Sequence, residues 1–130
     1  MRVGSSKRDV ATHDRRWPRS VYGVGKEPDP RFSFANERTF LAWIRTGLAL
    51  LAGGAAVDAL DLPMGAWLQT TLAAILVLLG LLCAIASWVR WSRAERAMRT
   101  GESLPSMGLA APLVVGILVI GILLIVASLA

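Results

Sequence analysis

Three long apolar segments follow a polar N-terminal stretch of the sequence. They cover about residues 40–60, 66–89 and 109–130, and the second segment has no charged side chain. A helix needs about 20 mostly apolar residues to cross the roughly 30 Å hydrocarbon core of a bilayer. Each segment has that length, so the pattern predicts an all-α integral membrane protein with three transmembrane helices.

The first helix is predicted to begin at Asp29-Pro30, where a capping side chain precedes a proline. No proline follows until Pro63, so the helix can continue to about residue 60. Thirty residues extend over about 45 Å, which is longer than the hydrocarbon core. We therefore expect the beginning of this helix to extend into the cytosol as an amphipathic segment, within a membrane domain at 29–130. Residues 1–28, which are polar and punctuated by glycine and proline, are expected to form a flexible basic tail.

Composition narrows the possible functions. The 130 residues are 55% hydrophobic and 18% charged, whereas soluble domains are about 45–50% apolar and about 25% charged. Little chain remains outside the three segments for a catalytic domain, and no catalytic motif is visible, so an enzyme is not expected. The single cysteine and the single histidine provide no metal site, and no cofactor is expected.

The basic residues predict how the chain is oriented. Nine of the fourteen lysines and arginines precede residue 40, whereas the first loop carries only Asp58 and Asp61. Because cytoplasmic loops carry the excess of positive charge, the N-terminus is expected in the cytoplasm and the C-terminus outside. Nucleic acid is not an expected partner, because the basic tail has few interleaved aromatic residues. Four further arginines lie in the second, cytosolic loop, on an expected extension of the second helix: Arg90, Arg93, Arg96 and Arg99.

These four arginines have several possible roles. They could form a basic vestibule, they could bind anionic lipid headgroups, or they could serve only as topology charges. The glycines in the apolar segments are predicted to allow close helix contact, and they are Gly53, Gly54, Gly80, Gly116 and Gly121.

The first helix carries a second pattern. Arg31, Arg38 and Arg45 are seven residues apart, so successive side chains fall within about 20° of one another around the helix. We call this face the arginine stripe, and it also contains five alanines: Ala35, Ala42, Ala49, Ala52 and Ala56.

The arginine stripe has two interpretations. Its arginines could be anchors that reach the interface, with the alanines allowing close helix packing. Arg45 fits this interpretation poorly, because it lies inside the apolar segment, where a charge normally faces protein or water. Alternatively, the stripe lines an axis between subunits and binds anions, phosphate above all. Beside it, Glu37 is expected to pair with an arginine or to remain solvated, and Asn36 to bond backbone groups or to bridge helices.

Residues 34–54, FANERTFLAWIRTGLALLAGG, resemble the signature of the YidH-type membrane family, DUF202. The same pattern is similar to the three-helix membrane domain of the yeast vacuolar transporter chaperone complex, which makes and translocates polyphosphate. The resemblance implies a protein of the bacterial inner membrane, and an oligomer whose first helices surround a central pathway. It matches Arg31, Arg38 and Glu37 to charged residues of that pathway, and it loosely matches Arg90 or Arg93. Arg45 belongs to the bacterial form of the motif.

Two functions are therefore expected. The first is an oligomeric, channel-like module for anions such as polyphosphate, lined by Arg31, Arg38 and Arg45, with Asn36 and Glu37 in support. Its partners would be membrane lipid, further copies of the chain and a phosphate-rich anion. The alternative is a non-conducting accessory protein that scaffolds a partner or binds anionic lipid headgroups.

Overall fold

The computed structural model of the chain describes residues 15–104 and 107–129. Its regular elements are all helical: α1 (Arg19–Tyr22), α2 (Pro30–Ala59), α3 (Ala66–Thr100) and α4 (Ala111–Leu129), the last preceded by a 3-10 turn at Met107–Ala110. Helices α2, α3 and α4 are long and apolar enough to cross a membrane. This confirms the predicted all-α fold with three spanning helices.

Helix α2 begins where its cap was predicted. The Asp29 carboxylate accepts a hydrogen bond from the backbone N–H of Arg31 at 2.9 Å, and Pro30 occupies the first helical position. A proline costs nothing there, because the first backbone N–H groups of a helix have no partner within it. The helix ends at Ala59, as expected, and Leu60 is extended. That the first turns of α2 form an amphipathic cytosolic segment stays a prediction.

Helix α3 continues well past the predicted second span. It runs without interruption to Thr100, so Arg90, Arg93, Arg96 and Arg99 lie on a helix. Gly101 caps its end: it has a φ of 73°, and its N–H donates a hydrogen bond to the carbonyl of Ala97. This left-handed conformation favours glycine, which has no Cβ to clash with the backbone.

Helices α2 and α3 form an antiparallel hairpin whose central contacts are made at glycines. A Cβ atom added to Gly80 would come within 2.9 Å of the Gly47 carbonyl oxygen, and one added to Gly54 within 2.8 Å of Val77 Cγ2. The predicted close contacts at Gly54 and Gly80 are thus confirmed. Gly47, which the sequence pattern did not single out, is buried against Cys83.

Helix α4 packs against α3 and makes few other contacts with the described residues. Gly116 meets the Leu79 side chain so closely that an added Cβ would come within 2.5 Å of it. This confirms the predicted role of Gly116. A close contact is not found at Gly121, where an added Cβ would have no described atom within 4 Å, or at Gly53, where it would meet only one, at 3.9 Å. No described side chain of α4 is buried, so its apolar surface suits lipid or a further protein chain.

Part of the predicted tail packs on the protein. Residues 15–28, which we call the N-terminal segment, cross the end of α3, and Val21 within them is only 1% exposed. The backbone N–H of Lys26 bonds the Arg99 carbonyl at 2.9 Å. These apolar and carbonyl contacts were not expected, because the segment has no helical period; the flexible tail at 1–28 stays a prediction. Residues 1–14 lie outside the described residues.

Candidate anion site on the first membrane helix

The arginine stripe lies on the surface of α2 that faces away from α3. Asn36, Gly47 and Gly54 are the buried residues of α2, and they mark the side that packs on α3. Gly47 follows Arg45 by two residues, which is about 200° around a helix, so the stripe is nearly opposite. Arg31, Arg38, Arg45 and all five alanines of the stripe are exposed within the single chain.

The three arginines of the stripe differ in what they bond. The Arg31 guanidinium forms an ion pair with the Asp29 carboxylate at the start of α2, with 3.3 Å between Nη2 and Oδ2. Arg38 and Arg45 form no hydrogen bond or ion pair with any residue in the described ranges. Two positive charges of this helix are therefore available to a partner outside the chain.

Asn36 and Glu95 join the beginning of α2 to the last turns of α3. The Asn36 side-chain amide donates to Glu95 Oε2 and to the Trp91 carbonyl, both at 3.1 Å. The Ser33 hydroxyl donates to the other carboxylate oxygen of Glu95 at 2.7 Å. The expectation that Asn36 bridges helices is confirmed. The sequence did not predict that the buried Glu95 would accept this hydrogen bond.

Glu37 lies beside the stripe, as helix geometry requires. It is exposed, and it makes no ion pair with the residues that the structure describes. It borders a groove of about 260 Å³ between α2 and α3, together with Phe40, Leu41, Trp88 and Trp91. Its predicted pairing with an arginine of a neighbouring chain stays a prediction.

The arginines of α3 fall into two groups. Arg96 and Arg99 bond the N-terminal segment: Arg96 donates to the Ser20 carbonyl at 3.3 Å, and Arg99 to the carbonyls of Tyr22 and Val24 at 3.0 and 2.9 Å. Arg99 is buried, and it also lies 3.4 Å from Glu27. Arg93 is exposed, whereas Arg90 lies partly buried in a groove beside α2.

Two side-chain pKa values are shifted within the N-terminal segment. The Arg16 guanidinium donates two hydrogen bonds to the Glu27 carboxylate, of 2.6 and 3.0 Å. This pairing lowers the pKa of Glu27. Burial raises the pKa of Tyr22, and the nearby Glu95 carboxylate raises it further. Arg16 also stacks over the Tyr22 ring, 4.4 Å from its centroid. The Arg16 contacts therefore join the two halves of the N-terminal segment to each other.

Aromatic side chains gather where α3 leaves its apolar stretch. The Trp17 ring stacks on Trp88 with centroids 5.5 Å apart, and Trp88 lies 5.3 Å from Trp91. Phe40 of α2 and Tyr22 of the N-terminal segment each lie 6.3 Å from Trp91. Tryptophan and tyrosine concentrate at membrane–water interfaces, so we expect this cluster to lie where the hairpin leaves the hydrocarbon core.

A family model covers the α2–α3 hairpin that carries these residues. Residues 31–97 match the model described as "Domain of unknown function (DUF202)". The chain belongs to the DUF202 family. The match includes the complete arginine stripe and Arg90, Arg93 and Arg96 of α3, whereas Arg99 lies beyond it.

Curated relatives agree with this family. The chain is 48% identical over 85 residues to "Inner membrane protein YidH" of Escherichia coli K12, an alignment that covers 63% of this chain and 72% of the relative. It is 44% identical over 100 residues to "Uncharacterized protein Rv2272" of Mycobacterium tuberculosis H37Rv, covering 74% of this chain and 80% of that protein. No solved structure matches the chain significantly. This DUF202 protein is thus a small multi-pass protein of the bacterial inner membrane, as predicted.

Proposed function

We propose that this DUF202 protein is a non-enzymatic, oligomeric, channel-like module for anions such as polyphosphate. The observation that carries the proposal is the exposed arginine stripe of α2, on which Arg38 and Arg45 have no partner among the described residues. In this arrangement the stripes of several copies face a common axis. Arg31, Arg38 and Arg45 then form successive rings of guanidinium groups along it.

The position of Arg45 supports an environment other than lipid. Arg45 is the sixth residue of the predicted span at 40–60, and a charged side chain inside a span is costly unless it faces protein or water. Facing an aqueous axis or an anion removes much of this cost. The alanines of the stripe favour the same arrangement, because small side chains let neighbouring helices approach closely.

A ring of arginines also requires counter-charge. Guanidinium groups from several copies repel one another across a narrow axis, and that repulsion is relieved when an anion lies between them. Phosphate oxygens suit this position, since a guanidinium donates two parallel hydrogen bonds to them. A chain of phosphates could pass from one ring to the next without leaving basic surroundings.

The fold supports a consistent arrangement of layers. Because α3 packs on the side of α2 opposite the stripe, an inward stripe places α3 in an outer layer. Helix α4, which contacts mainly α3 and has no buried described side chain, then faces lipid. We propose that the N-terminus lies in the cytoplasm and the C-terminus outside, as the distribution of basic residues predicts.

Reconstitution into liposomes tests the proposal. Vesicles that contain the purified protein are loaded with short-chain polyphosphate, and its release is measured. The variants Arg38→Gln and Arg45→Gln should abolish release. Arg93→Gln should not, although it removes the same charge from an exposed position on α3. Equal release by all four proteins would refute conduction through arginine rings.

A further inference from the structure

The exposed face of α2 repeats every seven residues. Large apolar side chains that are 56–61% exposed recur at this spacing, and we call them the large column: Phe34, Leu41 and Leu48. Exposed alanines recur at the same spacing, and we call them the alanine column: Ala35, Ala42, Ala49 and Ala56. A seven-residue repeat that is sustained along a helix is typical of helices that pack side by side in a left-handed supercoil.

The two columns lie on opposite sides of the arginines of the stripe. Leu41 is about 60° around the helix from Arg38 in one direction, and Ala42 is about 40° from it in the other. Lipid would suit the large column alone. Arg38 and Arg45 lie between the two columns, however, and a charge inside a span is costly unless it faces protein or water. A neighbouring protein chain is therefore the better cover for this face.

A ring of copies brings the two columns together. When Arg38 and Arg45 face a common axis, as in the proposed function on which this inference rests, the large column of each copy points at the alanine column of the next. Large side chains then enter the spaces above small ones, as knobs enter holes. Every copy provides both halves of this contact, which is the property that lets a heterologous interface close into a ring.

The charges beside the two columns are complementary. Glu37 is exposed, and it borders the groove on the side of the large column together with Leu41. Arg90 is half-buried in the groove on the side of the alanine column, which Ala35 and Thr39 also line. Neither Glu37 nor Arg90 makes an ion pair with a described residue.

These two charges also lie at the same level of the hairpin. Thr39, which shares the groove of Arg90, follows Glu37 by two residues, or about 3 Å along the helix axis. Copies of a ring are not displaced along its axis. Glu37 of one copy and Arg90 of the next therefore face each other across the contact between the columns.

We propose that α2 packs on a second copy of the chain, large column on alanine column, and that Glu37 pairs with Arg90 of that copy. The Arg90 Nε atom is buried, so the carboxylate meets the terminal nitrogens of the guanidinium. An ion pair that stays partly exposed contributes little stability. Its effect is to select the correct neighbour, because other pairings bring like charges together.

Disulfide cross-linking between two differently tagged copies tests the packing of the columns. One full-length chain carries Leu41→Cys and the other Ala42→Cys, both with Cys83→Ala, and the two are expressed together in bacterial membranes. Mixed dimers should exceed either homodimer about fivefold on mild oxidation, because a disulfide requires two Cα atoms within about 7 Å. The two thiols meet this limit best across the proposed contact.

Other patterns of cross-linking would overturn the proposal. An excess of Leu41→Cys homodimers would place the large column on the axis instead of the arginines. An excess of Ala42→Cys homodimers would place the alanine column there. Mixed dimers at the yield expected for random pairing would show that the columns do not meet.

Reversal of a charge tests the ion pair with the same readout. Glu37→Arg places two cations against each other and should lower the yield of mixed dimers about tenfold, since like charges at an interface are strongly unfavourable. Glu37→Gln adds no repulsion and should change the yield little. A yield that Glu37→Arg leaves at the level of Glu37→Gln would contradict the pair, without any change at Arg90.

A second reversal should restore the contact. Arg90→Glu added to Glu37→Arg exchanges the two charges and should recover the mixed dimers. Arg93→Glu added to Glu37→Arg is the matched control, and it should not recover them. Equal recovery by both combinations would show that net charge, and not a pair between Glu37 and Arg90, controls the contact.

The interface and conduction can fail separately. Mixed dimers at the expected yield without release of polyphosphate would support the interface and refute the channel. Release that depends on Arg38 and Arg45 but occurs without mixed dimers would support the channel and overturn the packing of the columns.

Discussion

The Asn36 side-chain amide donates a 3.1 Å hydrogen bond to the carboxylate of Glu95, 59 positions away in the sequence. Both residues are buried, at 8% and 4% exposure. The bond fixes how α2 is rotated against α3, because Asn36 must face the neighbouring helix to reach Glu95. With Asn36 turned inward, helix geometry directs Arg38 and Arg45 outward.

Removal of the Asn36 amide should destabilise the hairpin. In Asn36→Leu the buried Glu95 carboxylate loses one of its two side-chain donors, which should cost about 1–3 kcal/mol. The thermal unfolding midpoint in detergent should fall, while Glu37→Gln, which changes an exposed neighbour, should leave it unchanged. If Asn36→Leu unfolds at the same temperature as Glu37→Gln, the Asn36–Glu95 bond does not stabilise the fold.

The close approach of α2 and α3 should be sensitive at Gly80. A Cβ atom there would come within 2.7 Å of Leu51 Cγ and 2.9 Å of the Gly47 carbonyl oxygen, so Gly80→Ala must push the helices apart. Overpacking of this kind costs about 1–3 kcal/mol. Gly53→Ala is the control, because its Cβ would meet only Leu76 Cδ1 at 3.9 Å. A lower unfolding midpoint for Gly80→Ala alone is expected, and equal midpoints would contradict the contact.

Arg99 should hold the N-terminal segment in place. Arg99→Gln removes its bonds to the carbonyls of Tyr22 and Val24 and its ion pair with Glu27. Trypsin should then cleave after Arg19 and Lys26 about tenfold faster, as expected for the loss of charge-assisted hydrogen bonds. Arg93→Gln should be cleaved at the wild-type rate. Unchanged cleavage of the Arg99 variant would show that other contacts suffice.

The sequence predicted those parts of the fold that depend on local pattern. The spans follow from apolar length, and the start of α2 follows from Asp29 and Pro30. The side of α2 that carries the arginine stripe also follows from spacing alone. Each of these features is set by neighbours along the chain.

Features that depend on tertiary contact were not predictable in this way. Gly47 matters because it meets Gly80 and Cys83 of another helix, and Gly121 does not because nothing packs there. Similarly, the N-terminal segment has no regular hydrophobic period. Arg99 nevertheless donates hydrogen bonds to the carbonyls of Tyr22 and Val24, which lie 77 and 75 positions away in the sequence. The groove around Arg90 likewise exists only once α2 and α3 are paired.

The central claim is that the arginine stripe faces other copies of the chain, and cysteine cross-linking in native membranes tests it most directly. Cys83 is the single cysteine, so Cys83→Ala gives a background without thiols. In this background Ala42→Cys should form disulfide-linked dimers on mild oxidation, whereas Ile122→Cys, exposed on α4, should not. Cross-linking at Ile122 without cross-linking at Ala42 would contradict a shared axis lined by Arg38 and Arg45.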